Sequence, residues 1–180
     1  MDKIATWPPC YVKDYWKEGN IKTIVDIVQQ YEEVPDEFVL YFLELRNAIT
    51  TKYIKEAVMN HYPKVVAILS EMDTLHDQAE DFALFDWHLQ KRVAGLSHNP
   101  IYLLMLNSFD HVYVRMATKY FSLDFCRKAS FNYYKDLMTA ALNGDYQQAE
   151  SAVSSMMEKS YTIWKNHISS DYKEGEDTIR

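Results

Sequence analysis

Apolar residues recur with helical spacing along most of the chain, and no convincing run with a period of two follows residue 13. The first stripe occupies positions i, i+3, i+4 and i+7 of one helix face, at Ile21, Ile24, Val25 and Val28. Pro35 suits the first turn of a second helix, which carries its apolar stripe to about Asn60, and Pro63 suits the start of a third. This pattern predicts helices rather than strands.

Turn signals divide the second half of the chain into further helices. One helix is expected from about Phe82 to Leu96. The next, over residues 101–121, is apolar on much of its circumference and is expected to be central. Asn99 is expected to cap that helix, with Pro100 in its first turn.

The last two helices have their own start and stop signals. The residues "SLD" at 122–124 are expected to cap the first of them. Gly144 suits the left-handed residue past its end, and Asp145 with Gln148 resembles a capping box for the final helix.

The predicted fold is an all-α, antiparallel bundle of about seven helices in a single domain. Residues 17–168 are expected to form this domain. Residues 1–16 are short, extended in character and interrupted by adjacent prolines, so they are expected to be the end of another module. Residues 169–180 are charged and carry no stripe, so a flexible tail is expected there.

Composition narrows the classes of function. The net charge of −7 argues against the chain gripping a nucleic-acid backbone by itself. Cys10 and Cys126 give no disulfide framework, and no segment is long and apolar enough to cross a bilayer, so a cytoplasmic protein without a membrane role is expected. Fourteen tyrosines among 180 residues suit either a pocket for a large amphipathic ligand or a tyrosine-rich core.

The stretch "FDWHLQKRVAGLSHNPIY" at 85–102 first suggests a metal site, because it holds Asp86, His88 and His98. Residues two apart on a helix point about 200° away from each other, so Asp86 and His88 cannot reach one ion. The position four residues after Asp86 is Gln90, a poor ligand. We therefore expect no metal, and the absence of any nucleophile elbow or glycine-rich phosphate loop predicts no enzyme.

Aromatic spacing on the last three helices is the stronger signal. Tyr113 and Tyr120 are seven residues apart and share a helix face, as do Ser160 and Trp164 at i and i+4, while Tyr134 lies on the helix between. These side chains converge on one cavity if the helices pack together, although ordinary core packing accounts for the same spacing.

The same residues carry a resemblance to a known family. The chain from about residue 4 to 167 resembles the ligand-binding domain of FadR-like regulators, the fatty-acid-responsive branch of the GntR family. The resemblance lies in Phe82-Ala83, Asp86, Asn99-Pro100-Ile101-Tyr102, Tyr113, Arg115, Tyr120-Phe121, Tyr134, Gly144, Ser160, Ile163 and Trp164, with Trp16 and Arg46 further back.

This resemblance implies a homodimer that binds a long-chain acyl-coenzyme A as its effector, with no other cofactor. DNA would be contacted only through an amino-terminal winged helix outside this chain, of which residues 1–16 would be the last strand and linker. By position, the acyl-CoA pocket would be lined or supported by Arg46, Asp86, Tyr113, Tyr120, Tyr134, Met156, Ser160 and Trp164.

Two departures and one contrast accompany the resemblance. Residues 154–157 are Ser-Ser-Met-Met where FadR-like regulators have Arg-Arg-Tyr-Gly, which removes two cations and reshapes the cavity wall with thioethers. Metal-binding relatives carry histidines where this chain has Gln90, Tyr134 and Met156. Two alternatives stay open: a helical interaction module whose cavity is filled by its own side chains, and a metal-dependent sensor of small carboxylates.

Overall fold

Between residues 36 and 177 of the computed structural model, the chain forms six α-helices and one short 3-10 helix. The structure describes residue 26 and residues 28–177, without the side chains of His111 and residues 170–177. Within this part of the chain there is no β-strand, which confirms the predicted all-α bundle. The elements are α1 (Asp36–Leu69), the 3-10 helix Ser70–Thr74, α2 (Ala79–Ala94), α3 (Pro100–Asn107), α4 (Asp110–Phe121), α5 (Asp124–Leu142) and α6 (Tyr146–Asp177).

Helix α1 is kinked where the sequence predicts two helices. His61 leaves helical geometry, with φ −142° and ψ 28°, and Pro63 follows inside the helix. Proline lacks the amide hydrogen and crowds the preceding turn, so the helical path bends there. The predicted break between Asn60 and Pro63 is therefore confirmed as a kink within one long helix.

Helix α1 is also the centre of the bundle. It packs against α6, α5 and α2, while α2 packs against α4 and α5 against α6. Its inner face carries fully buried residues one turn apart, Tyr53, Ile54, Ala57 and Val58. Polar side chains on this inner face therefore have no route to bulk water and must find partners in the protein.

The single long helix predicted over residues 101–121 is wrong. The chain breaks at Ser108 and Phe109, where Phe109 has φ −102° and ψ 5° and its amide donates to Leu106 three residues back. The buried Phe109 ring packs edge-on against Phe42 at a centroid distance of 5.0 Å, a tertiary contact that helix propensity does not encode.

The break also changes where the apolar stripe lies. Helix α4 is central, as expected, but α3 lies at the surface and packs mainly on α2. The side chains of Ile101 and Leu104 are 53% and 58% exposed. The prediction that the whole of 101–121 is central therefore holds only for its second half.

Three of the predicted helix ends are observed. The side chain of Asn99 caps α3 by accepting the amide of Ile101 at 3.1 Å, with Pro100 in the first turn. Gly144 has φ 64°, and the amides of Gly144 and Asp145 donate to Ala141 and Ala140, which closes α5 with a Schellman motif. Asp145 then accepts the amides of Gln147 and Gln148 at the start of α6.

The cap predicted from "SLD" is wrong. The N-cap of α5 is Leu123, which makes no side-chain cap hydrogen bond. Asp124 instead lies in the first turn, where its carboxylate pairs with Lys128 at 2.6 Å and faces the positive end of the helix dipole.

Other predictions fall wholly or partly outside the described residues. These are the extended segment 1–16, Cys10, and all of the first apolar stripe except Val28. Helix α6 runs on to Asp177, beyond the start of the predicted tail, and the flexibility of residues 169–180 stays a prediction. Among the described helices, none combines the length and apolar character that crossing a bilayer requires.

Glu56 of α1 fixes the loop between α2 and α3. Its carboxylate accepts the Ser97 hydroxyl at 2.6 Å and the His98 amide at 2.9 Å, and it also contacts the His98 imidazole. These hydrogen bonds from Ser97 and His98 lower the pKa of Glu56 to about 2. The loop that delivers the chain from α2 into α3 is thereby anchored to the central helix.

We expect Glu56→Gln to flatten part of the acid dependence of stability. A carboxyl whose pKa is lowered by folding stabilises the protein above its unfolded value, here 4.5, and loses this effect as the pH falls toward 2. Urea unfolding midpoints measured across that window should fall less steeply in the variant. Glu158→Gln, the same change at an exposed position, is the control; equal slopes in Glu56→Gln and the unsubstituted chain would contradict the assignment.

Candidate functional site

A buried ion pair between α1 and α2 lies at the centre of the site. Arg46 Nη1 lies 3.0 Å from Asp86 Oδ2, and Nη2 donates to Asp86 Oδ1 at 3.4 Å. Arg46 is 9% exposed and Asp86 only 2%. Both residues stand on the apolar faces of their helices, so the packing of α1 on α2 brings the two charges together away from water.

Three neutral donors complete the shell of Asp86. The Tyr113 hydroxyl of α4 donates to Oδ2 at 2.5 Å, and the Tyr134 hydroxyl of α5 donates to Oδ1 at 3.1 Å. Gln90, one turn further along α2, donates its amide to Oδ1 at 3.2 Å. A carboxylate offers about four acceptor sites, so Asp86 is saturated by groups from four helices.

Gln90 connects the Asp86 network to two further polar residues of α1, which the sequence analysis did not identify. Its Oε1 accepts the Tyr53 hydroxyl at 2.5 Å, and this hydroxyl also lies 3.2 Å from Thr50 Oγ1. Tyr53, Thr50 and Gln90 are each fully buried. These three residues were not predicted as part of the site, although Asp86 and Gln90 stand at i and i+4 and Thr50 and Tyr53 at i and i+3.

The site holds one cation and one anion among neutral phenols. Burial alone lowers the pKa of Arg46, but Asp86 and the surrounding tyrosine oxygens more than offset this, and the pKa stands above its ordinary value. Burial raises the pKa of Tyr113 and Tyr134 well above the usual value, and that of Tyr53 to about 12. The tyrosines are therefore hydrogen-bond donors rather than bases or nucleophiles, and the arrangement is suited to binding.

Three buried polar atoms of the described residues lack a regular hydrogen bond: Arg46 Nε and the hydroxyls of Tyr120 and Tyr133. The polar neighbour of the Tyr120 hydroxyl is the thiol of Cys126, a weak partner. Arg46 and Tyr120 line the same cavity, whose volume of about 20 Å³ suits one water-sized group. Unpartnered buried donors next to such a space mark a place where an acceptor atom would be bound favourably.

A larger apolar cavity lies beside the small one. Its volume is about 200 Å³, and Phe42 and Met116 line both spaces. Its other walls are Val28, Phe38, Tyr41, Leu45, Phe109 and Val112. The two shared side chains therefore separate a polar end, at Arg46, from an apolar end.

The remaining predicted residues lie on α6. Met156, Ser160 and Trp164 follow one another at intervals of four and are buried at 6%, 3% and 1% exposure. The Trp164 ring packs against Tyr120 at a centroid distance of 5.8 Å, and its Nε1 donates to the Asp36 carbonyl at 3.1 Å. The Ser160 hydroxyl donates to the Met157 carbonyl of its own helix rather than to the network.

The structure therefore brings the predicted residues together to different degrees. Hydrogen bonds join Arg46, Asp86, Tyr113 and Tyr134, while Tyr120 shares a cavity with Arg46 and a ring contact with Trp164. Met156 and Ser160 are buried on the α6 face that carries Trp164. The role of all eight residues in ligand binding stays a prediction.

The histidines of the stretch at 85–102 lie apart from Asp86. His88 is exposed while Asp86 is buried, as the helical spacing predicts, and His98 contacts Glu56. Among the side chains that the structure describes, no three histidine, cysteine or acidic groups come together as a metal site would require.

Two tyrosine substitutions should distinguish a hydroxyl that stabilises the Asp86 network from a buried hydroxyl that lies outside it. Tyr113→Phe removes a hydrogen bond to the Asp86 carboxylate, and a bond to a charged group contributes about 1.5–3 kcal/mol. Tyr133→Phe removes a buried hydroxyl without a partner and should leave the free energy of unfolding unchanged or slightly raised. Urea unfolding of the two variants tests this contrast, and equal losses would contradict the network as described.

Comparison with known proteins gives a family match over most of the chain. The family model described as "FadR C-terminal domain" matches residues 13–172. A fatty acid metabolism regulator protein of Shewanella denitrificans is 29% identical over 163 residues, which cover 91% of this chain and 68% of that protein. The proteins of the same name from Shewanella pealeana and Yersinia enterocolitica are 27% and 28% identical, with 88% and 87% of this chain covered. The chain spans 66% and 65% of the length of these last two relatives, just under two thirds.

Proposed function

Because the chain belongs to the FadR C-terminal domain family, we propose that it is the effector-binding and dimerisation domain of a cytoplasmic transcriptional regulator of fatty-acid metabolism. The proposed effector is a long-chain acyl-CoA, and the regulator would reach DNA through a winged helix outside this chain. We propose no catalytic role. The curated relatives, which are fatty acid metabolism regulators by name, support the lipid part of this proposal.

The observation that carries the proposal is the small cavity lined by Arg46, Tyr113 and Tyr120, which shares two wall residues with a larger apolar cavity. An acyl thioester has the same division, with a carbonyl at one end of a long alkyl chain. Ligand pockets typically combine apolar walls with a few well-placed polar groups. The acyl chain would lie along Phe42 and Met116, with the carbonyl near Arg46 and Tyr120.

Binding would require these two cavities to join. Pockets for ligands of this size usually enclose about 300–1,000 Å³, more than the small cavity of about 20 Å³ at Arg46 and the neighbouring apolar cavity of about 200 Å³ together. Phe42 and Met116 line both cavities, and methionine changes shape at low cost because its side chain is unbranched and flexible. A shift of Met116 and of its helix α4 would open one continuous pocket.

Hydrogen bonds from the outer face of α4 would couple a movement at the pocket to the segment that precedes α1. Arg115 donates to the carbonyls of Tyr31 and Glu32 at 2.9 and 3.2 Å. Lys119 donates to the carbonyl of Val34 at 2.6 Å and pairs with the Asp36 carboxylate at 2.7 Å. A ligand that moves α4 would move segment 28–36 with it, and the bound and free arrangements would differ in their affinity for DNA.

One alternative has an observation in its favour. The cavity at Arg46 and Tyr120 is no larger than a water molecule, which suits an interaction module whose core is filled by its own side chains. The metal-dependent carboxylate sensor has none, because Gln90, Tyr134 and Met156 are poor metal ligands.

The test is titration calorimetry of the chain with palmitoyl-CoA, with the oligomeric state measured by light scattering. We expect a dimer that binds palmitoyl-CoA with a dissociation constant of about 10 μM or lower, near −7 kcal/mol or stronger. A folded dimer that shows no heat and no thermal shift would favour the interaction module instead. A folded monomer that binds would contradict the dimer alone.

Tyr120→Phe should weaken palmitoyl-CoA binding without weakening the fold. The hydroxyl it removes meets only the Cys126 thiol in the protein, so the free energy of unfolding should stay the same. One lost hydrogen bond to the ligand corresponds to about fivefold in the dissociation constant. Tyr62→Phe, at a half-exposed tyrosine beside the kink of α1, is the matched control. Unchanged affinity in Tyr120→Phe would place the ligand carbonyl elsewhere.

A further inference from the structure

An uncharged segment connects α2 to α4 by way of α3. Residues 93–109 contain no lysine, arginine, aspartate or glutamate, although 25% of the whole chain is charged, and this run of seventeen residues is the longest of its kind. Apolar segments without charge are usually buried in a protein core. Part of this one lies at the surface instead, because α3 packs mainly on α2 at the outside of the bundle.

The exposed residues of α3 and its C-cap share one side of the helix. At about 100° per residue they fall within about 120° of its circumference. We call this surface the α3 face, and it consists of Pro100, Ile101, Leu104, Asn107 and Ser108. Its two large apolar side chains, Ile101 and Leu104, are more than half exposed. Exposed apolar surface of this kind is typical of an interaction site.

The polar groups at the ends of the α3 face have partners inside the chain. The Ser108 hydroxyl donates to the Leu104 carbonyl at 3.0 Å. The Asn99 side chain accepts the amide of Ile101 at 3.1 Å. Because these groups do not depend on water, another apolar surface could cover them without leaving them unsatisfied.

The charged residues on either side of the uncharged segment are paired within the chain. Arg92 contacts Glu71, and Asp110 pairs with Lys91 at 2.7 Å. Neither flanking charge is therefore left to attract a partner of opposite sign. The partner that fits the α3 face is itself neutral and apolar where it makes contact.

We propose that the α3 face of one copy of this chain packs against the α3 face of a second copy, with the two α3 helices crossing at Leu104. In a twofold contact each residue near the axis meets its own equivalent, so a charged residue there would face a like charge. An uncharged face avoids this repulsion, which a chain with a net charge of −7 otherwise brings to its own copy. The inference rests on the proposed function and deepens it by naming the surface through which the chain dimerises.

A membrane surface fits the α3 face less well than a second copy does. Helices that lie on membranes combine an apolar face with lysine and arginine directed at the headgroups. Helix α3 contains neither residue type. The net negative charge of the chain would also be repelled by anionic lipids.

The experiment is sedimentation velocity over a range of protein concentrations. An eight-residue helix supplies only the centre of an interface of ordinary size, so we expect a dimer dissociation constant of about 1–10 μM. Leu104→Glu removes two leucines from the contact and places two like charges there, so the constant should rise about a hundredfold or more. Leu142→Glu makes the same change at another exposed leucine, at the end of α5, and should leave the constant unchanged.

A pair of opposite charges at position 104 tests whether the two α3 helices meet each other. Leu104→Lys alone should be monomeric at about 10 μM, like Leu104→Glu, because two lysines would face each other. An equimolar mixture of the two variants should form a heterodimer, because a lysine then faces a glutamate. Circular dichroism should show both variants folded, since the substituted side chain is exposed. Ile101→Glu, on the same face, repeats the test if Leu104→Glu does not fold.

Each other outcome overturns the inference. A dimer that survives Leu104→Glu lies on another face, and the proposed dimer then stands without the α3 contact. Two monomeric variants that stay monomeric when mixed show that the α3 helices do not cross at Leu104. A monomeric unsubstituted chain contradicts the proposed dimer and the α3 contact together. If that monomer binds phosphatidylcholine vesicles and Leu104→Glu does not, the α3 face is a membrane contact. Palmitoyl-CoA binding by the same samples tests the proposed effector independently.

Discussion

Replacing Asp86 by alanine should destabilise the domain by about 3–5 kcal/mol. The substitution leaves the Arg46 guanidinium in the core without a counter-ion, and it removes the acceptor of Tyr113, Tyr134 and Gln90. Unpaired buried charge and unsatisfied donors are among the few mechanisms that produce losses of this size. Urea unfolding followed by circular dichroism measures the change.

The double variant Arg46→Met, Asp86→Leu distinguishes the cost of leaving one buried charge unpaired from the cost of removing the whole ion pair. Exchanging both members of a buried ion pair for apolar residues of similar size is often neutral, or stabilising by about 1–4 kcal/mol. We therefore expect the double variant to recover the part of the Asp86→Ala loss that comes from the unpaired guanidinium, while the part that comes from the lost acceptor of Tyr113, Tyr134 and Gln90 remains. If the double variant is as unstable as Asp86→Ala, the loss in Asp86→Ala does not come from leaving the Arg46 charge unpaired.

The helical bundle could be predicted because its signals are local. The cap at Asn99 and the left-handed turn at Gly144 each depend on a few neighbouring residues, and both appear as predicted. The break before α4 could not be predicted in this way. Phe109 leaves the helix and packs on Phe42, which lies 67 residues earlier in the chain, and no local pattern encodes that distance.

The site shows the same division between local and distant information. The spacing of Asp86 and Gln90 placed both on one helix face, and it correctly placed His88 on the other. It did not reveal that the partner of Asp86 is Arg46, forty residues away on α1. Arg46 entered the prediction through family resemblance, whereas Tyr53 and Thr50, which carried no such signal, were missed.

The burial of a charged pair, Arg46 and Asp86, in the core of the bundle needs an explanation other than stability. A chain that needed only a stable bundle would do as well with apolar residues at Arg46 and Asp86, because buried ion pairs are weak sources of stability. The pair instead holds α1, α2, α4 and α5 in one register around a space with unpartnered donors. That arrangement is a cost to folding, and it is consistent with the ligand-binding role proposed for these residues.

Trp164→Ala should cost about 3–5 kcal/mol of unfolding free energy. The indole is 1% exposed, packs on Tyr120 and His167, and donates to the Asp36 carbonyl at the start of α1. Truncation leaves an apolar cavity and removes the donor that ties α6 to α1. Trp164→Phe keeps a ring and loses only the donor and part of the volume, so its loss should be smaller.

The cavity left by Trp164→Ala offers a direct check of this explanation. Apolar cavities created by truncation bind small aromatic molecules that fit them. Indole added to Trp164→Ala should raise its melting temperature, while the unsubstituted chain and Trp164→Phe should not respond. The rescue should also restore in part the palmitoyl-CoA binding that we propose, because the Trp164 ring packs on Tyr120 beside the small cavity. A loss of stability below about 1 kcal/mol, or an indole response equal in all three proteins, would mean that Trp164 does not fill the core between α4 and α6.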